Sequence, residues 1–191
     1  EIELTSWKYF HDYVVEEMLD FHYYIWRGQR DSKWKLESSI DRLLKDKSDT
    51  ERNLAISAHL REFKRAVRGR RGLYPTPIID ENEWWALGQH HALATPLLDW
   101  SHSPFVALYF AFEKETPPSN GQRSVLALIE PHEANKRIKR LEQVPLVQQT
   151  LDFFIPSQSE NPRLLNQAGL FTRIPVGDSV DDWVEREYQG L

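Results

Sequence analysis

The sequence contains no cysteine among its 191 residues. This absence excludes disulfides, thiolate metal sites and a cysteine nucleophile, and it fits a reducing compartment. No apolar run approaches the roughly 18 residues of a membrane-spanning helix, and the first residues lack the basic and then apolar layout of a signal peptide. We therefore expect a cytoplasmic protein that makes no membrane contact.

An excess of positive charge is also missing, because 24 Lys and Arg residues stand against 29 Asp and Glu residues, for a net charge of -5. A protein with this balance does not hold nucleic acid through a globally basic surface. A local basic patch that binds an anionic partner remains an alternative, since Arg68, Arg70 and Arg71 closely follow a predicted helix. Favourable charge at the C-terminus of that helix is the simpler interpretation.

Aromatic residues are plentiful, with seven Trp, seven Tyr and nine Phe. They provide large rigid groups for a core or for the walls of a cleft. The length fits one folded unit, and no repeat or break in composition divides it. We expect a single domain over residues 1–191.

Hydrophobic periodicity predicts an alternation of helices and short strands. Ser48 and Glu51 have the spacing of a capping box and precede a helical stripe of apolar residues, which predicts a long helix over 48–67. The run after Ser103 predicts a helix that is apolar on most faces and deeply buried. The remaining predicted helices cover 5–19, 82–93, 132–142, 161–169 and 179–188.

Short apolar runs predict the strands. They fall at 23–28, 95–100, 124–130, 151–156 and 170–175, and the run 124–130 is typical of a central strand. The pattern therefore predicts an α+β fold, in which helices wrap a small mixed or split antiparallel β-sheet.

Two segments place polar groups inside apolar surroundings, namely "WRGQRDSKW" and "WWALGQHHALATPLLDWSHSPFVALYFAF". In the first, Arg27 directly follows Trp26, and a cation there needs either an anionic ligand or a buried partner. Asp99 in the second segment is a candidate partner, so a buried ion pair is one interpretation. Breaking such a pair costs about 3 to 5 kcal/mol. An anionic ligand is the other interpretation.

These motifs resemble the FRG domain family, named for a Phe or Tyr, Arg, Gly motif near its start. The motif stands here as Trp26, Arg27 and Gly28, with Gln29 following. The resemblance continues through Gln89 and His90, through "LLDWS", through "SPFVALYF" and into "NQAGLFT". The chain departs from the family in "ALATP", where Ala92, Ala94 and Pro96 replace Gly, Pro and Arg.

A more distant resemblance in the order of motifs is to the ADP-ribosyltransferase superfamily, and it implies a cleft that takes NAD as substrate without a metal. Arg27 would bind phosphate or ribose oxygens, Asp99 or Gln167 would stabilise an oxocarbenium-like ribose, and His90 would contact ribose or move a proton. Gly28 would let the backbone approach the ligand. The other implied ligand contacts are Trp26, Gln29, Gln89, His91, Trp100, Ser101 and Phe171.

His90 and His91 are consecutive, so on a helix they point about 100° apart and cannot both face one metal ion. Neither a His pair at i, i+4 nor a cysteine is present, so we expect no zinc site. A satisfied structural histidine is the alternative interpretation of either residue.

The resemblance implies an ADP-ribosyltransferase-like or NAD glycohydrolase-like effector in a bacterial toxin or anti-phage setting. Its acceptor would be a nucleic acid or a protein, and an antitoxin or effector protein would be its partner. Two alternatives stay open. The first is a non-catalytic module that senses a nucleotide or phage-derived ligand, and the second is a metal-independent nuclease that uses His90 and the basic residues near 70.

Overall fold

A computed structural model of the chain describes residues 1–18, 21–72, 75–138, 151–156 and 169–188. They form a mixed α+β fold with antiparallel strand pairing, which confirms the predicted class. In chain order the elements are α1 (Trp7–Asp12), β1 (Tyr24–Gln29), α2 (Ser39–Leu43), α3 (Asp49–Ala66), α4 (Glu81–His90), β2 (Leu97–Ser101), α5 (Pro104–Phe112), β3 (Ser124–Ile129), α6 (Pro131–Ile138), β4 (Asp152–Phe154), β5 (Gly169–Arg173) and α7 (Val180–Glu187).

The chain divides into two compact units. Unit 1 comprises Glu1–Lys33 and Ser101–Leu146, and unit 2 comprises Trp34–Trp100 and Val147–Leu191. The expectation of a single domain stays a prediction.

The first predicted helix is shorter than its apolar stripe indicates. Ser6 caps α1 by accepting the backbone N–H of Tyr9, and a π-helical turn over Tyr13–Glu17 follows. In that stripe Val14 is fully buried, whereas Trp7 is 61% exposed. The apolar spacing therefore placed the helix correctly but does not mark a buried face along its whole length.

The strands of unit 1 pair in an antiparallel ladder. Tyr24 of β1 lies opposite Ile129 of β3, and the register continues to Gln29 opposite Ser124. Ser101, the last residue of β2, lies opposite Trp26. Among the described strands β3 pairs only with β1, so it is an edge strand and the prediction of a central strand was wrong. A run of apolar residues also fits an edge strand when a helix covers one of its faces.

Helix α5 packs on β1 and β3. The Ser103 hydroxyl caps it by accepting the backbone N–H of Val106, and Pro104 occupies its first turn, as predicted. Only the stripe of Pro104, Ala107 and Ala111 is buried. The prediction of deep burial was wrong, because the small residues contact the strands while larger side chains such as Phe112 face outward.

Unit 2 is built around α3 and α4. The capping box of Ser48 and Glu51 starts α3, which confirms that prediction. Apolar residues of both helices share one core with residues from α2, β2 and β5; its buried members are Ile40, Ile56, Leu60, Phe63, Trp85, Ala86, Leu97 and Phe171. The strand order in this unit is β2-β5-β4. This core supports α4 and β2, which carry the polar residues of the second motif.

The described residues do not include Gln167, residues 161–168 of the helix predicted at 161–169, residues 139–142 of the helix predicted at 132–142, or residue 19 of the helix predicted at 5–19. No helix in the ranges that the structure describes is long and apolar enough to cross a membrane.

Candidate functional site

The first motif lies on β1 of unit 1, and its outer residues are buried. Trp26 is 3% exposed, and its indole Nε1 donates to the carbonyl oxygen of Phe21 at 3.3 Å. Gln29 is 6% exposed, and its Oε1 accepts a hydrogen bond from Ser124 Oγ at 3.4 Å. Arg27 between them is half-buried, and its Nε atom is enclosed. The roles of these side chains as ligand contacts stay predictions.

The structure gives a packing reason for glycine at position 28, which the sequence did not reveal. A Cβ atom at this position would lie 2.7 Å from the backbone nitrogen of Ala111 and still closer to the carbonyl oxygen of Ala107. The backbone of α5 therefore occupies the space that a side chain would need. The close approach that glycine permits here is to α5, and its predicted contact with a ligand is untested.

The second motif begins on α4 and β2, whose residues up to Trp100 belong to unit 2, and two predicted site residues meet there. Gln89 Nε2 donates to Asp99 Oδ1 at 2.7 Å. Asp99 is exposed, although its neighbours Leu98 and Trp100 are each only 4% exposed. The strand thus presents one carboxylate outward from an otherwise buried segment, and an amide holds one of its oxygens.

A third residue, Thr95, completes this arrangement and was not among the predicted site residues. Its hydroxyl donates to Gln89 Oε1, and its side chain is completely buried. Thr95 lies in the loop between α4 and β2, two residues before the strand begins at Leu97. Its link to Gln89 therefore follows from how the helix meets this loop, and no local spacing in the sequence indicates it.

The two histidines next to Gln89 end α4. His90 and His91 are both exposed, and their ring centroids lie 5.1 Å apart at an interplanar angle of 71°. Within the described ranges, no group of three or more histidine and acidic side chains is placed to hold a metal ion. The role of His90 in proton transfer or ribose contact stays a prediction.

Three further predicted ligand contacts are buried and have partners in the protein. Trp100 Nε1 donates to Thr172 Oγ1 at 2.8 Å, Ser101 Oγ accepts the backbone N–H of Ser103 at 3.0 Å, and the Phe171 ring packs at 5.5 Å from that of Phe154. Ligand contact by these residues is untested. Arg27 belongs to unit 1, whereas Gln89, His90 and Asp99 belong to unit 2, so the expected convergence of the four also stays a prediction.

The basic residues near 70 include one that takes part in local structure. Arg71 Nη2 donates to the carbonyl oxygen of Thr76 at 2.7 Å, and its guanidinium lies 5.4 Å from the centre of the Trp84 ring. Arg68 and Arg70 are exposed. The nuclease interpretation remains an untested alternative.

Unit 1 contains a cavity of about 950 Å³. Its lining includes the aromatic residues Trp7, Phe10, Trp26, Phe105, Tyr109 and Phe112. Arg123 also lines it and donates to the carbonyl oxygens of Lys114 and Thr116, both at 3.0 Å. No pattern in the sequence predicted this cavity, although aromatic lining residues are typical of sites for small molecules.

The described residues thus define an α+β protein with an arginine–glycine motif on one strand and an amide-held carboxylate on another. A family model of the FRG domain matches residues 22–120, just over half of the chain. The chain therefore belongs to the FRG domain family, as its motifs predicted. Comparisons with curated proteins and with solved structures found no match.

Proposed function

We propose that this chain acts on NAD, as an ADP-ribosyltransferase or an NAD glycohydrolase. The observation that carries the proposal is the hydrogen bond from Gln89 to Asp99, which fixes an exposed carboxylate on unit 2. Among the predicted catalytic residues that the structure describes, Asp99 combines negative charge and exposure with a fixed side-chain partner.

The chemistry of NAD cleavage needs such a group. The bond between ribose C1′ and the nicotinamide nitrogen breaks, its electron pair leaves with nicotinamide, and the ribose passes through an oxocarbenium-like state. A carboxylate near the ribose stabilises this positive charge and accepts a hydrogen bond from a ribose hydroxyl. Water then adds at C1′ in a glycohydrolase, and a nucleophile of a nucleic acid or protein adds there in a transferase. Either nucleophile loses a proton.

Two other side chains have separate roles in the proposal. The Arg27 guanidinium has five N–H donors in a planar array, which suits phosphate or ribose oxygens. His90 is exposed and contacts ribose or moves the proton of the nucleophile. The fold class expected for this function is an ADP-ribosyltransferase-like cleft, and that cleft is part of the proposal.

The cellular role follows from the reaction. Cleavage of NAD depletes a central cofactor, and transfer of ADP-ribose blocks the modified target, so either activity suits a toxin or an anti-phage effector. Such an effector needs restraint, and the proposal therefore includes an antitoxin or effector partner.

The test is release of nicotinamide from NAD by the purified protein, measured by chromatography with and without added nucleic acid and protein acceptors. Asp99→Asn keeps the size of the side chain and removes its charge. We expect it to lower the rate by about 100-fold or more, which is the usual loss when a group that stabilises transition-state charge is removed. Arg27→Ala tests the phosphate contact in the same assay.

Asp152→Asn is the matched control. Asp152 is also an exposed aspartate on a strand of unit 2, at the start of β4, and its substitution should leave the rate unchanged. Absence of nicotinamide release by the wild-type protein with every acceptor would overturn the proposal. Equal rates for Asp99→Asn and Asp152→Asn would remove Asp99 from it.

The cavity of unit 1 favours a second candidate function, a module that senses a ligand without turnover. A volume of about 950 Å³ with several aromatic side chains in its lining suits a ring-bearing small molecule. Calorimetric binding of a nucleotide with no nicotinamide release would support this candidate. Loss of that binding in Phe105→Ala, with binding retained in Asp99→Asn, would place the ligand in unit 1.

A further inference from the structure

A continuous set of hydrogen bonds runs through unit 2 from α2 to β2. Ser39 Oγ accepts the backbone N–H of Thr95 at 2.9 Å and donates to the Thr95 carbonyl oxygen at 3.2 Å. The Thr95 hydroxyl donates to Gln89 Oε1, and Gln89 Nε2 donates to Asp99 Oδ1 at 2.7 Å. The chain of bonds runs from the half-buried Ser39 through the fully buried Thr95 to the exposed carboxylate of Asp99.

The two ends of this set fix the orientation of the Gln89 amide. An ionised carboxylate can only accept hydrogen bonds, so the amide must turn its NH₂ group toward Asp99. The amide oxygen then faces Thr95, whose hydroxyl donates to it. The hydroxyl also accepts the backbone N–H of Leu97 at 3.4 Å. Its proton is therefore directed away from Leu97 and toward Gln89.

We propose that Thr95 is a positioning residue, which orients the Gln89 amide and through it the Asp99 carboxylate. The inference rests on the proposed function, because Asp99 is the residue expected to face the reacting ribose. Without the hydroxyl, the amide oxygen of Gln89 would lose the donor that distinguishes the oxygen end of the amide from its NH₂ end. The amide could then rotate, and Asp99 Oδ1 would lose the hydrogen bond that Gln89 Nε2 donates to it.

The burial of Thr95 makes it suited to this role. Its side chain is 0% exposed, and Ser39 holds its backbone at both the N–H and the carbonyl group. Next to it, His59 Nε2 lies 3.1 Å from the carbonyl oxygen of Ala94 and supports the same loop. A carboxylate oriented from such a rigid base requires little reorganisation during the reaction.

The test compares Thr95→Val with Thr95→Ser. Valine keeps the volume of threonine and removes the hydroxyl, whereas serine keeps the hydroxyl. The first measurement is the pair of side-chain amide NMR signals of Gln89, identified by their loss in Gln89→Leu. The second measurement separates kcat from KM for nicotinamide release.

We expect Thr95→Val to shift the Gln89 amide signals, to speed their exchange with water and to lower kcat about 10- to 100-fold with little change in KM. Thr95→Ser should keep both the Gln89 amide signals and kcat close to their wild-type values. Ser39→Ala removes the two bonds to the Thr95 backbone and should change the same signals by a smaller amount. If Thr95→Val does not fold, the Ser39→Ala variant tests whether Thr95 orients the Gln89 amide.

Unchanged Gln89 signals in Thr95→Val, or in Ser39→Ala if the former does not fold, would overturn the inference. A loss of kcat that Thr95→Ser does not restore would also overturn it. Failure of the proposed function is recognised separately, because the wild-type protein would then release no nicotinamide. In that case the NMR signals of the variants still decide whether Thr95 orients Gln89.

Discussion

In unit 1 the backbone of Gly28 lies against α5, whereas in unit 2 Gln89 and Asp99 meet through a hydrogen bond between side chains. The first motif is thus held by close packing, and its flanking residues Trp26 and Gln29 are buried. The second motif is held by directional polar bonds and ends at an exposed carboxylate. The comparison teaches that the glycine of the first motif shapes the fold, while the second motif presents a chemically usable group.

The glycine positions of the two motifs allow a direct comparison. The family tends to have glycine where this chain has Ala92, and Ala92 adopts a φ of 61° in the left-handed region. Gly28 needs glycine for space, whereas position 92 favours glycine for its backbone conformation. Exchange of glycine and alanine at the two positions should therefore have opposite effects on stability.

The largest expected effect is that of Gly28→Ala. The added Cβ would meet backbone atoms of Ala107 and Ala111, which cannot move without displacing α5. We expect a loss of more than about 3 kcal/mol in the free energy of unfolding, measured by urea denaturation. Gly121→Ala is the control, because Gly121 has a φ of 75° but open space around it, and it should lose only about 1 kcal/mol. Equal losses of unfolding free energy in the two variants would show that packing against α5 is not what requires glycine at position 28.

A smaller effect of opposite sign is expected for Ala92→Gly. Glycine removes the strain of a left-handed alanine, so the free energy of unfolding should rise by about 1 kcal/mol. Ala94→Gly is the control in the same loop, because Ala94 has no positive φ, and this change should add flexibility to the unfolded chain and remove a methyl group that packs against the core. Thermal unfolding of the two variants should shift in opposite directions. A lower melting temperature for Ala92→Gly would contradict this account of position 92.

The smallest effect concerns pH and the loop that follows the first motif. Asp31 accepts hydrogen bonds from the Ser119 side chain and from the backbone N–H groups of Lys33 and Ser119, and these hold its pKa below the usual value. Its contribution to stability is therefore complete above the pKa of the unfolded chain, near 3.9, and is lost as pH falls through the lower folded value. In the acid range, Asp31→Asn should reduce the slope of the free energy of unfolding against pH by the equivalent of at most one bound proton.

Glu51→Gln provides the comparison in unit 2. A hydrogen bond from Ser48 lowers the pKa of Glu51, but this is a local cap on an exposed helix end. Asp31 instead joins its own loop to Ser119, 88 residues away in the sequence. We expect Asp31→Asn to lower the urea midpoint at neutral pH more than Glu51→Gln does. The reverse order would show that the Asp31 bonds add little to unit 1.

Local signals in the sequence were sufficient for much of the fold. The capping box of Ser48 and Glu51 and the cap at Ser103 located α3 and α5, because both depend on residues within one turn. The depth of α5 was not predictable in this way. A helix of nine apolar residues has no polar face to show which side meets solvent, and only the packing of Ala107 and Ala111 on the strands decides it.

The candidate site was predictable in part. Gln89 and Asp99 were chosen from polar residues in apolar surroundings, and they are joined in the structure. Thr95 was not chosen, because a buried threonine is common in cores and its link to Gln89 depends on how a helix meets a loop. The bonds from Ser39 to Thr95 span 56 residues, and no local pattern in the sequence indicates such a contact.

The most direct test of the central claim is an NMR titration of the protein with ADP-ribose. If the carboxylate held by Gln89 forms part of an NAD site, the backbone signals of Asp99 and His90 and the side-chain amide of Gln89 should shift in a saturable manner. Asp99→Asn should weaken this binding, and Asp152→Asn should not. Saturable binding that leaves the signals of Gln89, His90 and Asp99 unchanged would contradict the account.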